Sequence, residues 1–198
     1  MIKKFNQYLK EHFGIGIFIE DLTRPSTKFV KERWREREMD VIEIGTYKGL
    51  NAVNLLKNLR IRNLYLIDPW ENYSEYNEFK DQSKPENKLN KIYPQAMKRI
   101  KKATKSSKVK IIKKYSENAL NDVGNADFIY IDGNHDYEYV KKDIELYYSK
   151  LNNQGVLGGH DINFIGVLEA VTEFVRKNNL KLFVTAPDWW IVKGLKKN

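Results

Sequence analysis

Residues 127–135 read Asp-Phe-Ile-Tyr-Ile-Asp-Gly-Asn-His, an apolar run that delivers a carboxylate, Asp132, and an imidazole, His135, at its end. Apolar throughout, the run suits a strand covered on both faces, and in an open α/β sheet ligands sit at the carboxyl ends of parallel strands. That places Asp132 and His135 where chemistry is done. His135 has an ordinary pKa near neutrality and is the candidate general base; an alternative role is to cap the helix that starts near Tyr137. A second such end, Gly155-Val-Leu-Gly-Gly-His160-Asp161, offers another acid and another imidazole. Asp132 and Asp161 at neighbouring strand ends can share one hard divalent cation, and His160 adds a nitrogen donor of the kind that favours transition metals. Asp136 and Asp143 read as first-turn or helix-face charges.

A cofactor site is suggested further upstream. Val41-Ile-Glu43-Ile-Gly45-Thr46-Tyr-Lys-Gly49 is a strand running into a glycine turn and then a helix. Gly45 permits a tight turn or a close backbone approach, and the helix start leaves N–H groups facing a ligand. The next strand ends in Asp68, whose carboxylate can accept hydrogen bonds from both ribose hydroxyls. Each signal alone also fits ordinary turn punctuation or capping; their joint spacing points to a nucleotide-type cofactor. The pattern is Glu-x-Gly-x-x-x-Gly rather than Gly-x-Gly-x-x-Gly, which ranks a dehydrogenase second.

The elements that must carry these residues alternate. Apolar runs at Val41–Ile44, Leu64–Ile67, Phe128–Ile131 and Val156–Gly159 read as parallel strands, and Lys108–Lys114 reads as an edge strand. Leu180–Thr185 and Trp189–Lys193 read as a terminal pair. Between them, helical stripes recur at Leu50, Val53, Leu56 and Leu59; at Tyr137, Val140, Ile144, Tyr147 and Leu151; and at Val167, Val171, Phe174 and Val175. The expected fold is α/β: a Rossmann-like, seven-stranded, mostly parallel sheet with helices on both faces, in one domain spanning 1–198. Helices over 2–12 and 24–38 precede the sheet, and the long connection over 70–107 reads as a helical cap or lid insertion. Trp189 and Trp190 read as core packing or a dimer contact rather than a substrate platform, which leaves a homo-oligomer open.

Composition narrows the classes further. The 198 residues contain no cysteine, which excludes disulfides, thiolate zinc and a catalytic thiol. No stretch approaches the roughly 20 apolar residues that span a bilayer, so a cytoplasmic protein without a membrane partner is expected. The net charge of +9 draws on Lys98, Arg99, Lys101, Lys102, Lys105, Lys108, Lys110, Lys113 and Lys114. A solvated helix face explains such a run; a patch for an acidic or nucleic-acid partner is the alternative.

Glu43-x-Gly45-x-x-x-Gly49 with Asp68 resembles the first two motifs of class I S-adenosylmethionine-dependent methyltransferases. Tyr130-Ile-Asp132-Gly-Asn-His135-Asp-Tyr137-Glu, Asp143 and Gly155-Val-Leu-Gly-Gly-His160-Asp161 resemble a narrower group, related to the macrolide-sugar O-methyltransferases and the cephalosporin-modifying enzymes. The resemblance covers about residues 40–195. It implies that Glu43, Gly45, Thr46 and Gly49 surround the methionine part of S-adenosyl-L-methionine, that Asp68 holds the ribose, that Ser116 approaches the adenine and that Asp132 lies between cofactor and substrate. Ser116 is otherwise a helix N-cap. The resemblance further implies Mg²⁺ or another divalent cation at Asp132 and Asp161, with His160 standing where relatives often have a second acid. The expected reaction is O-methylation of a small hydroxylated, sugar-like acceptor. Two readings stand beside it: an RNA methyltransferase using the basic 98–114 stretch, and a non-catalytic scaffold protein that binds the cofactor.

Overall fold

The computed structural model describes residues 23–71, 86–104 and 106–197. The helix expected over 2–12 lies outside them. In chain order come α1 (Pro25–Trp34), β1 (Met39–Ile44), α2 (Leu50–Asn58), β2 (Ile61–Ile67), α3 (Glu86–Ala103), β3 (Lys108–Ile112), α4 (Ser116–Ala119), β4 (Ala126–Ile131), α5 (Tyr137–Lys150), β5 (Leu151–Gly159), α6 (Ile165–Lys177), β6 (Leu180–Thr185) and β7 (Asp188–Lys196). The sheet order is β3-β2-β1-β4-β5-β7-β6, parallel from β3 to β5, with β7 antiparallel to both neighbours. This is the expected Rossmann-like α/β sheet, with Lys108–Ile112 at one edge.

Alternation along the strands sends side chains to two cores. Ile42, Ile44, Ile129 and Ile131 pack with Val140, Ile144, Val167 and Val171, under α5 and α6. Val41, Phe128 and Tyr130 pack with Val30, Ala52, Leu55, Ala96 and Ile100, under α1, α2 and α3. Trp189 joins the first core and Trp190 the second, where it stacks on Phe183 with centroids 5.9 Å apart. The tryptophan pair is therefore core.

Two expectations change in detail. The stripe expected on α2 is rotated: Leu50 is 57% exposed, while Asn51, Ala52 and Leu55 are buried. A polar tie explains it, because Asn51 Nδ2 donates to the buried Glu43 Oε1 at 2.9 Å. The cap expected over 70–107 lies partly outside the described residues, over 72–85. Its described helix, α3, buries Ile92, Ala96 and Ile100 and lies in the connection between parallel strands β2 and β3, where a crossover helix packs.

Register builds the site. Ile112, Ile67, Ile44, Ile131, Gly159 and Trp189 form one row across the sheet. One residue beyond that row stand Lys113, Asp68, Gly45, Asp132, His160 and, because β7 runs the other way, Asp188. The ladder continues into this next row: Asp68 N–H donates to Ile112 O, Gly45 N–H to Ile67 O, Asp132 N–H to Ile44 O and His160 N–H to Ile131 O, at 2.8–3.2 Å. Gly45 is indispensable to it. Its φ is +86°, and a Cβ there would lie 2.0 Å from the Asp132 carbonyl oxygen. Gly194 has nearly the same φ, +85°, with nothing within 4 Å of such a Cβ. Gly45→Ala should therefore cost about 2–5 kcal/mol in urea unfolding, and Gly194→Ala about 1 kcal/mol. Equal costs would mean that backbone strain alone, and not the approach of β1 to β4, fixes Gly45.

Candidate active site

The turn after β1 is tied to the end of β2. Asp68 Oδ2 accepts the Tyr47 N–H at 2.7 Å and Oδ1 accepts the Trp70 N–H at 2.6 Å, while Trp70 Nε1 donates to Tyr47 O at 2.9 Å. Behind the turn, Glu43 is wholly buried. Burial pushes its carboxyl up to about 8, the Asn51 hydrogen bond offsetting part of the rise. The nearby Thr46 hydroxyl opposes the rise too, although neither it nor Glu43 Oε2 makes a hydrogen bond of normal geometry. Glu43, Gly45, Thr46, Gly49 and Asp68 thus come together as the sequence suggested.

Ser116 begins α4, but its hydroxyl donates to Asp143 rather than capping the helix, whose N-cap residue is Tyr115. Asp143 is correspondingly not a solvent-facing helix charge: it is 5% exposed, and burial pushes it up to about 7 against the pull of that hydrogen bond. Its Oδ2 would lie 3.7 Å from a Cβ on Gly133, which sets the Ser116–Asp143 pair under the loop that follows β4.

Asp132, His135, His160 and Asp161 form the second half of the site. His135 Nε2 lies 3.0 Å from Asp161 Oδ2, and His160 Nδ1 lies 2.9 Å from Asp161 Oδ1 and 3.8 Å from Asp132 Oδ1. Asp161 adopts φ +57°, a left-handed conformation that turns its carboxylate between the two imidazoles. His135 packs on Phe164 with centroids 4.8 Å apart. Gly166 lets α6 close on that loop, since a Cβ there would stand 2.4 Å from His135 O. Burial pushes Asp132 up to about 7, with Arg24 opposing and Asp161 adding to the rise. Among the described residues, the donor atoms that lie within 4.8 Å of one another belong to Asp132, His135 and Asp161. His160, expected from sequence as a ligand with Asp132 and Asp161, stands beside that group, against Asp161.

Three participants escaped the sequence. Asn51 sets Glu43. Arg24, just before α1, reaches Asp132 Oδ2 at 3.4 Å and Asp188 Oδ1 at 3.7 Å. Asp188 is wholly buried and accepts Ser26 N–H, Ser26 Oγ–H and Tyr130 O–H. Part of the basic stretch is engaged locally: Lys110 donates to Asp122 O, Lys114 pairs with Asp122 and Arg99 donates to Lys48 O. Lys98, Lys101, Lys102 and Lys108 are exposed. No helix among the described residues is long and apolar enough to cross a membrane.

Known proteins were compared with this chain. A family model described as a methyltransferase domain matches residues 42–162. The uncharacterized protein R132 of Acanthamoeba polyphaga mimivirus is 28% identical over 160 residues, 76% of this chain and 63% of that protein, so the chain spans less than two thirds of that relative's length. The O-methyltransferase TomG from Streptomyces achromogenes, involved in tomaymycin synthesis and solved with S-adenosylmethionine, superposes with a TM-score of 0.60 at 14% identity, covering 98% of this chain and 89% of that one. An rRNA methylase from Streptococcus thermophilus gives 0.59 at 16%, covering 88% and 99%, and precorrin-6y C5,15-methyltransferase from Geobacter metallireducens gives 0.58 at 11%, covering 84% and 85%. At these identities the likeness is one of fold, and it spans unrelated acceptors. The family model, however, covers more than half of the chain and encloses the turn after β1, Asp68, Asp132 and Asp161: the chain belongs to the class I S-adenosylmethionine-dependent methyltransferases.

Proposed function

We propose that this chain methylates a hydroxyl of a small, sugar-like acceptor, with His135 as the base and a divalent cation assisting at Asp132 and Asp161. The observation that carries the reading is the pairing of His135 Nε2 with Asp161, one strand end away from the cofactor turn. Bound S-adenosylmethionine supplies an electrophilic methyl on a sulfonium. The residues fit it: the Asp68 carboxylate stands at the end of β2, tied to the turn after β1, where a ribose would meet it, and Glu43 offers a buried oxygen without a normal hydrogen bond, facing Thr46. The Ser116 oxygen, having given its proton to Asp143, can accept from the adenine amino group. Gly45 lets the turn close on the Asp132 backbone, and Gly49 lets α2 start against Ile100 and Ala96 of α3, which together shape the turn that the methionine part would lie on. Asp132 follows directly on the approach to Gly45 and so stands between cofactor and acceptor.

A hydroxyl must lose its proton as it attacks. His135 takes it on its imidazole, and the Asp161 carboxylate, 3.0 Å from Nε2, stabilises the resulting imidazolium. The donor set also fits a divalent ion, two carboxylates with imidazole at hand, and such an ion lowers the pKa of a hydroxyl bound to it. Asp132 and Asp161, with His160 beside them, would hold such an ion, and the His135 imidazole would serve the proton.

Isothermal titration with S-adenosylhomocysteine tests the cofactor half: Asp68→Ala should weaken binding by at least about thirtyfold, equivalent to about 2 kcal/mol. Undiminished binding would remove Asp68 from the ribose. The protonation of Glu43 gives a second measurement. At pH 7 its carboxyl, at about 8, is mostly protonated, and the cationic amino group of the ligand favours the ionised form. Binding should therefore release protons, seen as an enthalpy that varies with buffer ionisation heat, and Glu43→Gln should lose most of that variation. A buffer-independent enthalpy in the wild type would place the charged group elsewhere. For the chemical half, release of S-adenosylhomocysteine with a panel of hydroxylated sugars is the assay. His135→Ala should keep cofactor binding and lower turnover about 10²–10⁴-fold; turnover within a few-fold of wild type would show that His135 is not the base.

A further inference from the structure

We propose that Arg24 is a built-in competitor for the divalent cation at Asp132, held in place by Asp188, and that it sets how tightly the cation site loads. The proposal rests on the reading of Asp132 and Asp161 as cation ligands.

It starts from a buried carboxylate that methyl transfer does not use. Asp188 is wholly buried on β7, and a buried charge is retained only where it is paired and hydrogen-bonded. Its partners all serve one end of one helix. Helix α1 opens with Pro25, and Arg24 at its N-cap contributes no side-chain cap. Asp188 Oδ2 supplies the cap from across the sheet, accepting Ser26 N–H at 3.1 Å and Ser26 Oγ–H at 2.5 Å, while Oδ1 accepts Tyr130 O–H at 3.1 Å. Fixing Ser26 fixes the residue two places before it. The Arg24 guanidinium lies 5.8 Å from the centroid of the Tyr130 ring, with Nη1 3.7 Å from Asp188 Oδ1 and Nη2 3.4 Å from Asp132 Oδ2.

Asp132 is thereby divided. Oδ2 turns to the guanidinium, and Oδ1 faces His160 at 3.8 Å, toward the group that contains Asp161 and His135. An ion that takes Oδ2 must displace Arg24. An ion that takes Oδ1 binds across the same carboxylate from a fixed positive charge, inside a region where Coulomb forces are only partly screened. Either way the guanidinium and the ion oppose each other. A divalent ion feels that field about twice as strongly as a proton does on the same oxygen, so removing Arg24 tightens the ion more than it tightens the competing proton. Arg24 is 27% exposed, which leaves it room to swing aside.

The test is Mn²⁺ binding to the full chain at pH 8.5, read from the electron paramagnetic resonance signal of free Mn²⁺, with no acceptor needed. Arg24→Met should bind Mn²⁺ at least about tenfold more tightly than wild type, and Arg24→Lys, which keeps the charge, should stay within about threefold of wild type. Adding Asp161→Ala to Arg24→Met should abolish the gain. Arg24→Gln, which keeps a donor for Asp188, gives the same comparison if Arg24→Met unfolds at a lower temperature. Binding of Mn²⁺ to wild type with no tightening in either uncharged variant would overturn the role of Arg24 and leave the cation reading intact. A gain that survives Asp161→Ala would place the ion elsewhere and overturn it as well. If wild type and variants all fail to retain Mn²⁺ while binding S-adenosylhomocysteine normally, the cation reading itself falls, and the proposal with it.

Discussion

The close approach of β1 to β4 at Gly45 is the constraint on which the site depends. A side chain at that position would overlap the Asp132 carbonyl, and no rotamer relieves a clash that begins at Cβ. With glycine there, the ladder runs one residue past the strands on both sides, and Asp68, Gly45, Asp132 and His160 line up. The cofactor turn and the acid–imidazole group are therefore held in fixed relation by backbone hydrogen bonds rather than by the side chains that do the chemistry. Side chains are then free to hold unusual charge states without carrying the architecture.

Those charge states share a physical cause. Glu43, Asp132, Asp143 and Asp188 are all pushed upward first by burial, and each is opposed by a specific donor: Asn51, Arg24, Ser116 and Ser26 respectively. The carboxylates are not clustered for mutual contact; each has its own partner, and all four of those partners come from a different segment of the fold. Among the described residues, Arg24 is the cation other than an imidazole that pairs with Asp132 and Asp188. A sulfonium cofactor and a divalent ion both suit such a region, because each brings positive charge to carboxyls that burial has left short of it.

Much of this was legible in the chain. The continuous apolar runs identified the parallel strands, and the glycine, acid or histidine directly after each of the four apolar runs marked the row of candidate site residues, because strand ends are where register places them. The misses have one origin in tertiary contacts between distant segments. Asp188 sits in Ala-Pro-Asp, which reads as a turn; only the antiparallel return of β7 carries it to the ligand end of the sheet. Arg24 looks like one more charge ahead of a charge-rich helix. Its meaning depends on Asp188, 164 positions away in sequence and 3.7 Å away in space. Asn51 broke an apolar stripe that was drawn through Leu50, because a hydrogen bond to a buried carboxyl outweighs the burial of one leucine at a helix end.

The switch from parallel to antiparallel pairing explains why the two halves of the site differ in kind. From β3 to β5 every strand points its carboxyl end to the same rim of the sheet, and the loops that follow include the Asp68 turn, the Gly45 turn, the Gly133 loop and the His160–Asp161 turn. On the far side β7 contributes its beginning instead, and a strand's first residue can be an isolated buried acid because the chain before it is a turn already committed to the surface. Asp188 uses that freedom to cap α1 from outside, which binds a helix from the start of the described chain to a strand near its end. The Asp132 side of the site is thus assembled from segments far apart in sequence, whereas residues 42–68 assemble the Asp68 side nearly unaided. A contiguous stretch of that kind can be recognised in a sequence, while pairs such as Arg24 and Asp188 exist only once the folded chain brings them together.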